Sequence, residues 1–262
     1  MLVLYILLAV LIVCAAVFVI TWVLLKITVR PGEAPNLYDP AVAGKTRWAP
    51  YSGDIHNGID RIRRLPWEDV FINSGDGLRL RGRLLYGEGR DGVILVHGYR
   101  SSGEIDFAGL VDYYRERGFG ILLVDQRAHG QSGGDMICFG VREQEDVRRW
   151  SELAASRLGG RLWVHGVSMG AATTLLAAEA GFPVPVSGLV VDSCYPSPRD
   201  VLAYQMSKQY RLPHFPFVPI GSLAGMCIAG RGFVSCSTAR ASANAKEPIL
   251  FVCSAEDRSI PP

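Results

Sequence analysis

The first pattern in the chain is the absence of any alternation. Leu2 to Leu25 is continuously apolar or aromatic except for Thr21, and as a helix it would rise about 36 Å, enough to cross a bilayer. No basic residue precedes the run and no small-x-small site follows it, so Trp22-Val23-Leu24-Leu25-Lys26 is a poor context for signal cleavage. An uncleaved single-pass anchor over residues 1–26 is expected, with Trp22 at the interface. Lys26 and Arg30 lie on its C-terminal side and predict that this side faces the cytoplasm. Residues 27–66 carry Pro31, Pro35, Pro40 and Pro50 without a sustained period. They read as a linker that becomes a short helical segment near Asp54 to Arg64, with His56 on its surface.

From Trp67 onward, strand and helix patterns alternate. Val70-Phe71-Ile72 and Leu78 to Leu85 flank Ser74-Gly75-Asp76-Gly77 and predict a half-exposed hairpin. Short apolar runs at Gly92 to Val96, Ile121 to Val124, Leu162 to His165, Leu189 to Val191 and Ile249 to Val252 read as buried strands. Helices are predicted from Glu104 to Arg117, from Glu143 to Leu158 and over Ala171 to Ala178. The expected fold class is α/β: a mostly parallel sheet with helices on both faces, over residues 67–262. Between about residues 193 and 247 the rhythm breaks into an aromatic-rich stretch with Tyr204, Tyr210 and His214-Phe215-Pro216-Phe217. A helical cap over a substrate pocket is expected there; extra core helices without ligand contact are the alternative.

Composition narrows the function. Apolar residues make up 49% of the 262 and the mean hydropathy is +0.19, in keeping with a membrane segment. Charges are balanced, 27 basic against 25 acidic, and mixed along the chain, which gives no nucleic-acid footprint. The six cysteines form no C-x-x-C pair, and neither they nor the five histidines have metal-ligand spacing. No metal or organic cofactor is expected. The cysteines read as ordinary buried thiols, with a bridge between Cys227 and Cys236 as the one disulfide left open.

The chemistry-bearing residues gather after the predicted strands, where open parallel sheets bind ligands. They are His97-Gly98-Tyr99-Arg100-Ser101-Ser102-Gly103, then Asp125-Gln126-Arg127-Ala128-His129-Gly130-Gln131-Ser132, then Gly166-Val167-Ser168-Met169-Gly170, then Ser254-Ala255-Glu256-Asp257. A serine between an apolar strand and a helix, with glycines two residues to either side, is the context of a nucleophile elbow. Taken together, these segments resemble an α/β-hydrolase of the membrane-anchored, prolyl-oligopeptidase-like or Bem46-like serine hydrolase group. The resemblance implies Ser168 as nucleophile, Asp257 as the acid that orients a catalytic histidine, and backbone N–H groups of Tyr99 and Met169 as the oxyanion hole. Glu256 is a rival to Asp257. Substrates implied are small acyl esters, thioesters, amides or peptides.

The resemblance fails at the base. The family order is Ser, Asp, His, yet no histidine follows Asp257 and the sequence stops at Ile260-Pro261-Pro262. A closing helix and strand would need about 25 to 30 further residues, so the C-terminal end of the fold is expected to be missing. Among the histidines present, His97 is expected to bond the oxyanion turn, His129 to buttress the rim and His165 to pack in the core; only His214, in the cap, could swing over Ser168. Arg127 is expected to pair with Asp125, in preference to an anion-binding role for Arg100 or Arg127, and Asp192 and Ser193 to line the pocket. The functional expectation is a serine hydrolase acting through an acyl-enzyme. Its rivals are a catalytically inactive binding module and an enzyme of the same fold with haloperoxidase-like or lyase chemistry.

Overall fold

The computed structural model describes residues 1–44, 49–208, 210–230, 235–255 and 257. Seven strands form one sheet: β1 (Glu68–Asn73), β2 (Arg79–Leu85), β3 (Gly92–Val96), β4 (Gly120–Val124), β5 (Leu162–Val167), β6 (Gly188–Asp192) and β7 (Ile249–Val252). Their order across the sheet is β1-β2-β4-β3-β5-β6-β7. β1 and β2 form the antiparallel hairpin, β2 runs antiparallel to β4, and every later pairing is parallel. β3 and β4 are buried throughout, since helices cover both their faces. On one face α6 (Glu143–Leu158), α7 (Met169–Ala180) and α10 (Thr238–Asn244) close a core that includes Trp150, Leu175, Val164 and Ala241. On the other, Phe107, Val111 and Tyr114 pack with Ile62 against the sheet.

Two expectations are corrected, and the reading of the cysteines as thiols holds. The helix read from Glu104 to Arg117 is two pieces, α4 (Gly103–Asp106) and α5 (Leu110–Glu116). Ser102 caps the start of α4, accepting from the Ile105 N–H, and the helix ends at Phe107, which leaves helical geometry and is fully buried. β7 was expected to be buried, but Leu250, Phe251 and Val252 are exposed, since β7 is the edge strand and β6 is its one partner among the described residues. All six cysteines are free, including Cys227 and Cys236.

The N-terminal helix α1 (Leu2–Val29) is long and apolar enough to cross a membrane by length and composition. Its C-terminal turns dock on the domain. Leu25 and Val29 are buried against Cys138, Phe139 and Ala224. The last carbonyls of a helix lack intrahelical partners, and here the domain supplies them: Tyr99 Oη donates to Thr28 O (2.7 Å), Arg100 to Ile27 O (2.5 Å) and the Ile137 N–H to Val29 O (2.7 Å). Downstream, α2 (Pro40–Ala43) and a 3₁₀ turn at 49–51 lead into α3 (Ser52–Arg64). His56 is half-buried there, stacked on Tyr38 at 4.6 Å and hydrogen-bonded to Leu37 O, not the plain surface residue expected.

The segment after β6 contains α8 (Pro198–Lys208) and α9 (His214–Ala229), packed on each other and, through α9, on α1. α9 is interrupted at Phe215; Pro219 falls in its first regular turn, where backbone N–H groups have no intrahelical acceptor.

Candidate active site

The strand order reverses around β3, which has β4 on one side and β5 on the other. Connections leaving β3 and β5 therefore splay to opposite faces and open a crevice beyond their carboxyl ends. The turn after β3 begins at His97, and Ser168 follows β5 directly. The two meet: a Cβ on Gly98 would lie 3.2 Å from the Ser168 Cβ.

Ser168 sits at φ 54°, ψ −113°, a left-handed backbone that a side-chain-bearing residue holds only under constraint from its surroundings. The flanking glycines supply that constraint. A Cβ on Gly166 would stand 2.2 Å from Gly170 O, and one on Gly170 would stand 1.9 Å from Val96 O. Strand β5, helix α7 and strand β3 thus approach as closely as backbones can, and the turn between them is forced sharp. The Ser168 N–H is anchored to Asp192 O at 2.8 Å. Met169 opens α7, so its N–H is one of the helix's unpaired donors. Neither that N–H nor the Tyr99 N–H donates to another group among the described residues.

The Gly98–Arg100 turn is held by a buried network. His97 Nδ1 donates to Gly98 O (2.8 Å), while its Nε2 accepts from the Gln126 N–H (3.2 Å). Gln126 Nε2 returns a bond to His97 O at 2.5 Å. His129 Nδ1 donates to Arg127 O (2.9 Å) and its Nε2 accepts from the Arg100 N–H (3.0 Å). Burial, with His97 beside it, lowers the His129 pKa to about 4, so the ring is neutral near pH 7. Asp106 completes the network: its carboxylate accepts from the Gly98 N–H and from Ser101 Oγ, both at 2.6 Å. Burial raises its pKa against these two bonds, which favour the ionised form. Asp106 and Gln126 were missed from sequence, where Asp106 reads as one more acidic residue in a helix's first turn.

His97 and His129 thus spend both ring nitrogens on the turn, as buttresses. His165 is a core residue, bonded to Tyr114 Oη at 2.9 Å, edge-on to Phe107, with a pKa lowered by burial to about 4. His214 is exposed on a cleft of about 680 Å³ between the starts of α8 and α9, lined also by Asp200, Phe215, Val218 and Cys236. Ser168 is not in the wall of that cleft, so the strand ends locate the candidate site. No histidine hydrogen-bonds Ser168 among the described residues.

Arg127 does not pair with Asp125. It is buried and donates to both oxygens of Asp146, at 2.6 and 2.8 Å, and to Asp76 at 2.9 Å. Burial opposes its charge, but these bonds outweigh burial and raise its pKa. Burial raises the Asp146 pKa, and the paired guanidinium, which cannot deprotonate, pulls it back toward the ionised form. Asp125 turns the other way, to Arg81 at 3.3 Å and the Gln131 N–H at 3.2 Å. Arg100 is committed to the end of α1. Ser193 Oγ donates to Asp192 Oδ1 at 2.9 Å beside the elbow. Asp257 is half-buried beyond β7, its N–H donating to Ser254 O at 3.1 Å. β7 lies two strand spacings from β5, about 10 Å. Glu256 lies outside the described residues.

The same segments carry the sequence comparison: the profile of the Alpha/beta hydrolase family matches residues 93–261. The chain is a member of that family. An uncharacterised protein of Bacillus subtilis, YqkD, is 29% identical over 171 residues, covering 64% of this chain and 56% of that protein. A thiohydrolase of Aspergillus aculeatus, aneE, is 37% identical over 69 residues, 26% of this chain and 22% of the thiohydrolase. The matches thus span about half or less of these relatives. Among solved structures, an esterase of Pyrococcus furiosus superposes with a TM-score of 0.61 at 21% identity, covering 77% of this chain and 74% of the esterase. An α/β hydrolase from a Penicillium species gives 0.57 at 20% identity over 75% and 83%. At these identities the likeness is one of fold.

Proposed function

We propose that the protein is a serine hydrolase that cleaves ester, thioester or amide acyl groups through an acyl-enzyme on Ser168. The observation that carries this reading is the strained Ser168 backbone, packed against the Gly98 turn with the Tyr99 and Met169 N–H groups unspent. A serine hydroxyl needs a base to become nucleophilic, and charge developing on a tetrahedral intermediate needs fixed donors. In the proposed mechanism Ser168 Oγ attacks the acyl carbon and the two N–H groups receive the oxyanion. A base, the one part of the constellation with no residue assigned, takes the Ser168 proton; Asp257 is the carboxylate that would orient it, and water then releases the acyl group. His97 and His129 are excluded from the role of base because both ring nitrogens hold the oxyanion turn, and His165 because it is buried in the core against Tyr114 and Phe107. The family membership and the thiohydrolase among the similar proteins support the reaction class.

We also infer that α1 remains attached as a membrane anchor. Cleaving it would strip the caps from Tyr99, Arg100 and Ile137 and expose the Cys138–Phe139–Ala224 surface, a loss an excised signal peptide would not inflict. The balance of Lys26 and Arg30 supports a cytoplasmic domain.

One observation favours a second reading, an inactive binding module: no described histidine reaches Ser168. A fluorophosphonate probe separates the two. The native protein should gain one phosphonyl adduct on the Ser168 peptide, and Ser168→Ala should gain none. Folded native protein that takes no label would overturn the acyl-enzyme reading and favour the module.

A further inference from the structure

α9 is apolar on the side that faces away from the protein. Its inner face, with Phe217, Val218, Gly221 and Ala224, packs on α1. Its outer face carries Pro219, Leu223 and Cys227, spaced by four along the regular part of the helix and all exposed, and Phe215, just before that regular part, is exposed as well. Phe215 is 78% exposed and Leu223 60%. A helix on the surface of a water-soluble domain turns charged residues outward, yet from Leu212 to Gly230 there is no Asp, Glu, Lys or Arg.

The pairing with α1 fixes the depth of this stripe. Val17 and Leu24 pack beside Phe217 and Val218, a Cβ on Gly221 would lie 3.5 Å from Thr21 Cγ2, and Leu25 and Val29 meet Ala224. The two helices therefore run side by side from Val17 onward. Residues 2–16 of α1 rise only about 22 Å, short of the roughly 30 Å hydrocarbon core. Any bilayer that α1 crosses extends at least to the level of Thr21, and so reaches the first turns of α9. Trp22, with Lys26 Nζ over its ring at 5.2 Å, marks the adjoining interface. Lys208 and Arg211, beside the start of α9, are long enough to reach lipid phosphates from there.

We propose that α9 is a second membrane-seated element, lying with α1 at the boundary of acyl chains and headgroups, and that the cap receives its acyl substrate from the bilayer. This rests on the reading of α1 as a membrane anchor. Val201 of α8 packs against both the α1–α9 junction and the Tyr99–Met169 cluster, so the cap joins the lipid-facing helices to the oxyanion wall. An acyl chain already in the membrane needs only to lift its carbonyl to the strand ends. The substrate class this selects is acyl lipids and long-chain acyl esters or thioesters.

The test is site-specific photocrosslinking of the full chain in vesicles of phosphatidylcholine and phosphatidylglycerol, with p-benzoylphenylalanine placed at Leu223, at Leu8 or at Phe71. Leu8 reports the anchor, and Phe71, exposed on β1, reports the water-facing surface. Lipid adducts at Leu223 and Leu8 but not at Phe71 support the proposal. Adducts at Leu8 alone overturn it and leave the anchor standing. Adducts at none of the three overturn both. Crosslinking of Leu223 to protein instead of lipid overturns it in favour of a protein partner for this face.

Discussion

In the proposed mechanism the backbone at Ser168 does the positioning. A nucleophile on an ordinary helix or strand would be flanked by its own neighbours, whereas a serine at φ 54° stands clear of them. That geometry depends on two residues that never touch a substrate. Gly170 has Val96 O 1.9 Å from where a Cβ would be, so Gly170→Ala must push α7 off β3. The expected loss is about 3 kcal/mol or more, at the severe end for overpacking, read as a lower urea midpoint with an unchanged slope. Phosphonylation of Ser168 should fall with it even where the variant remains folded. Asp106 shows the limit of reading residues singly: it bonds the Gly98 N–H across eight residues of chain, which only the turn at Ser102 makes close.

At the level of elements, loops bind the sheet's rim into one unit. Glu143, at the start of α6, accepts from the Cys138 and Gly140 N–H groups at 2.7 and 2.9 Å and shapes the loop whose Ile137 N–H holds the end of α1. Arg127 ties the loop after β4 to α6 through Asp146 and to the β1–β2 hairpin through Asp76, whose pKa falls to about 2 as Ser74 and Arg127 bond it. Arg127→Leu would leave the Asp146 carboxylate buried without its partner. The expected destabilisation is about 3 to 5 kcal/mol, measurable by chemical denaturation. Asp146→Leu in the same background should recover much of it, since the stranded charge would be gone.

For the whole molecule, burial of neutral imidazoles makes stability depend on acid. His129 and His165 are lowered to about 4 from 6.5. Between those values the unfolded chain binds protons that the folded chain refuses, so stability is fully present above pH 6.5 and is lost as the pH falls toward 4. Each histidine accounts for up to about 3 kcal/mol over that window. Asp106 and Glu143, raised by burial, act in the opposite sense. His165→Gln isolates one contribution: the slope of unfolding free energy against pH between 4 and 6.5 should flatten by up to one proton. An unchanged slope would show that His165 takes its proton in the folded core.

The local pattern alone determined the strands, the elbow and the apolar N-terminal helix, because each is a property of neighbouring residues: a run, an alternation, or glycines at fixed spacing about Ser168. It misjudged what depends on partners distant in sequence. Arg127 and Asp125 look paired because they are close in the chain, but side chains on a tight loop diverge, and Arg127 found Asp146 and Asp76 instead. β7 reads as buried from its composition, yet burial is decided by what lies beside a strand, and β7 is at the edge. The network of Asp106 and Gln126, the docking of α1 on the rim and the outward apolar stripe of α9 were likewise decided only by the tertiary structure. Periodicity says which residues share a face, and only packing says what that face meets.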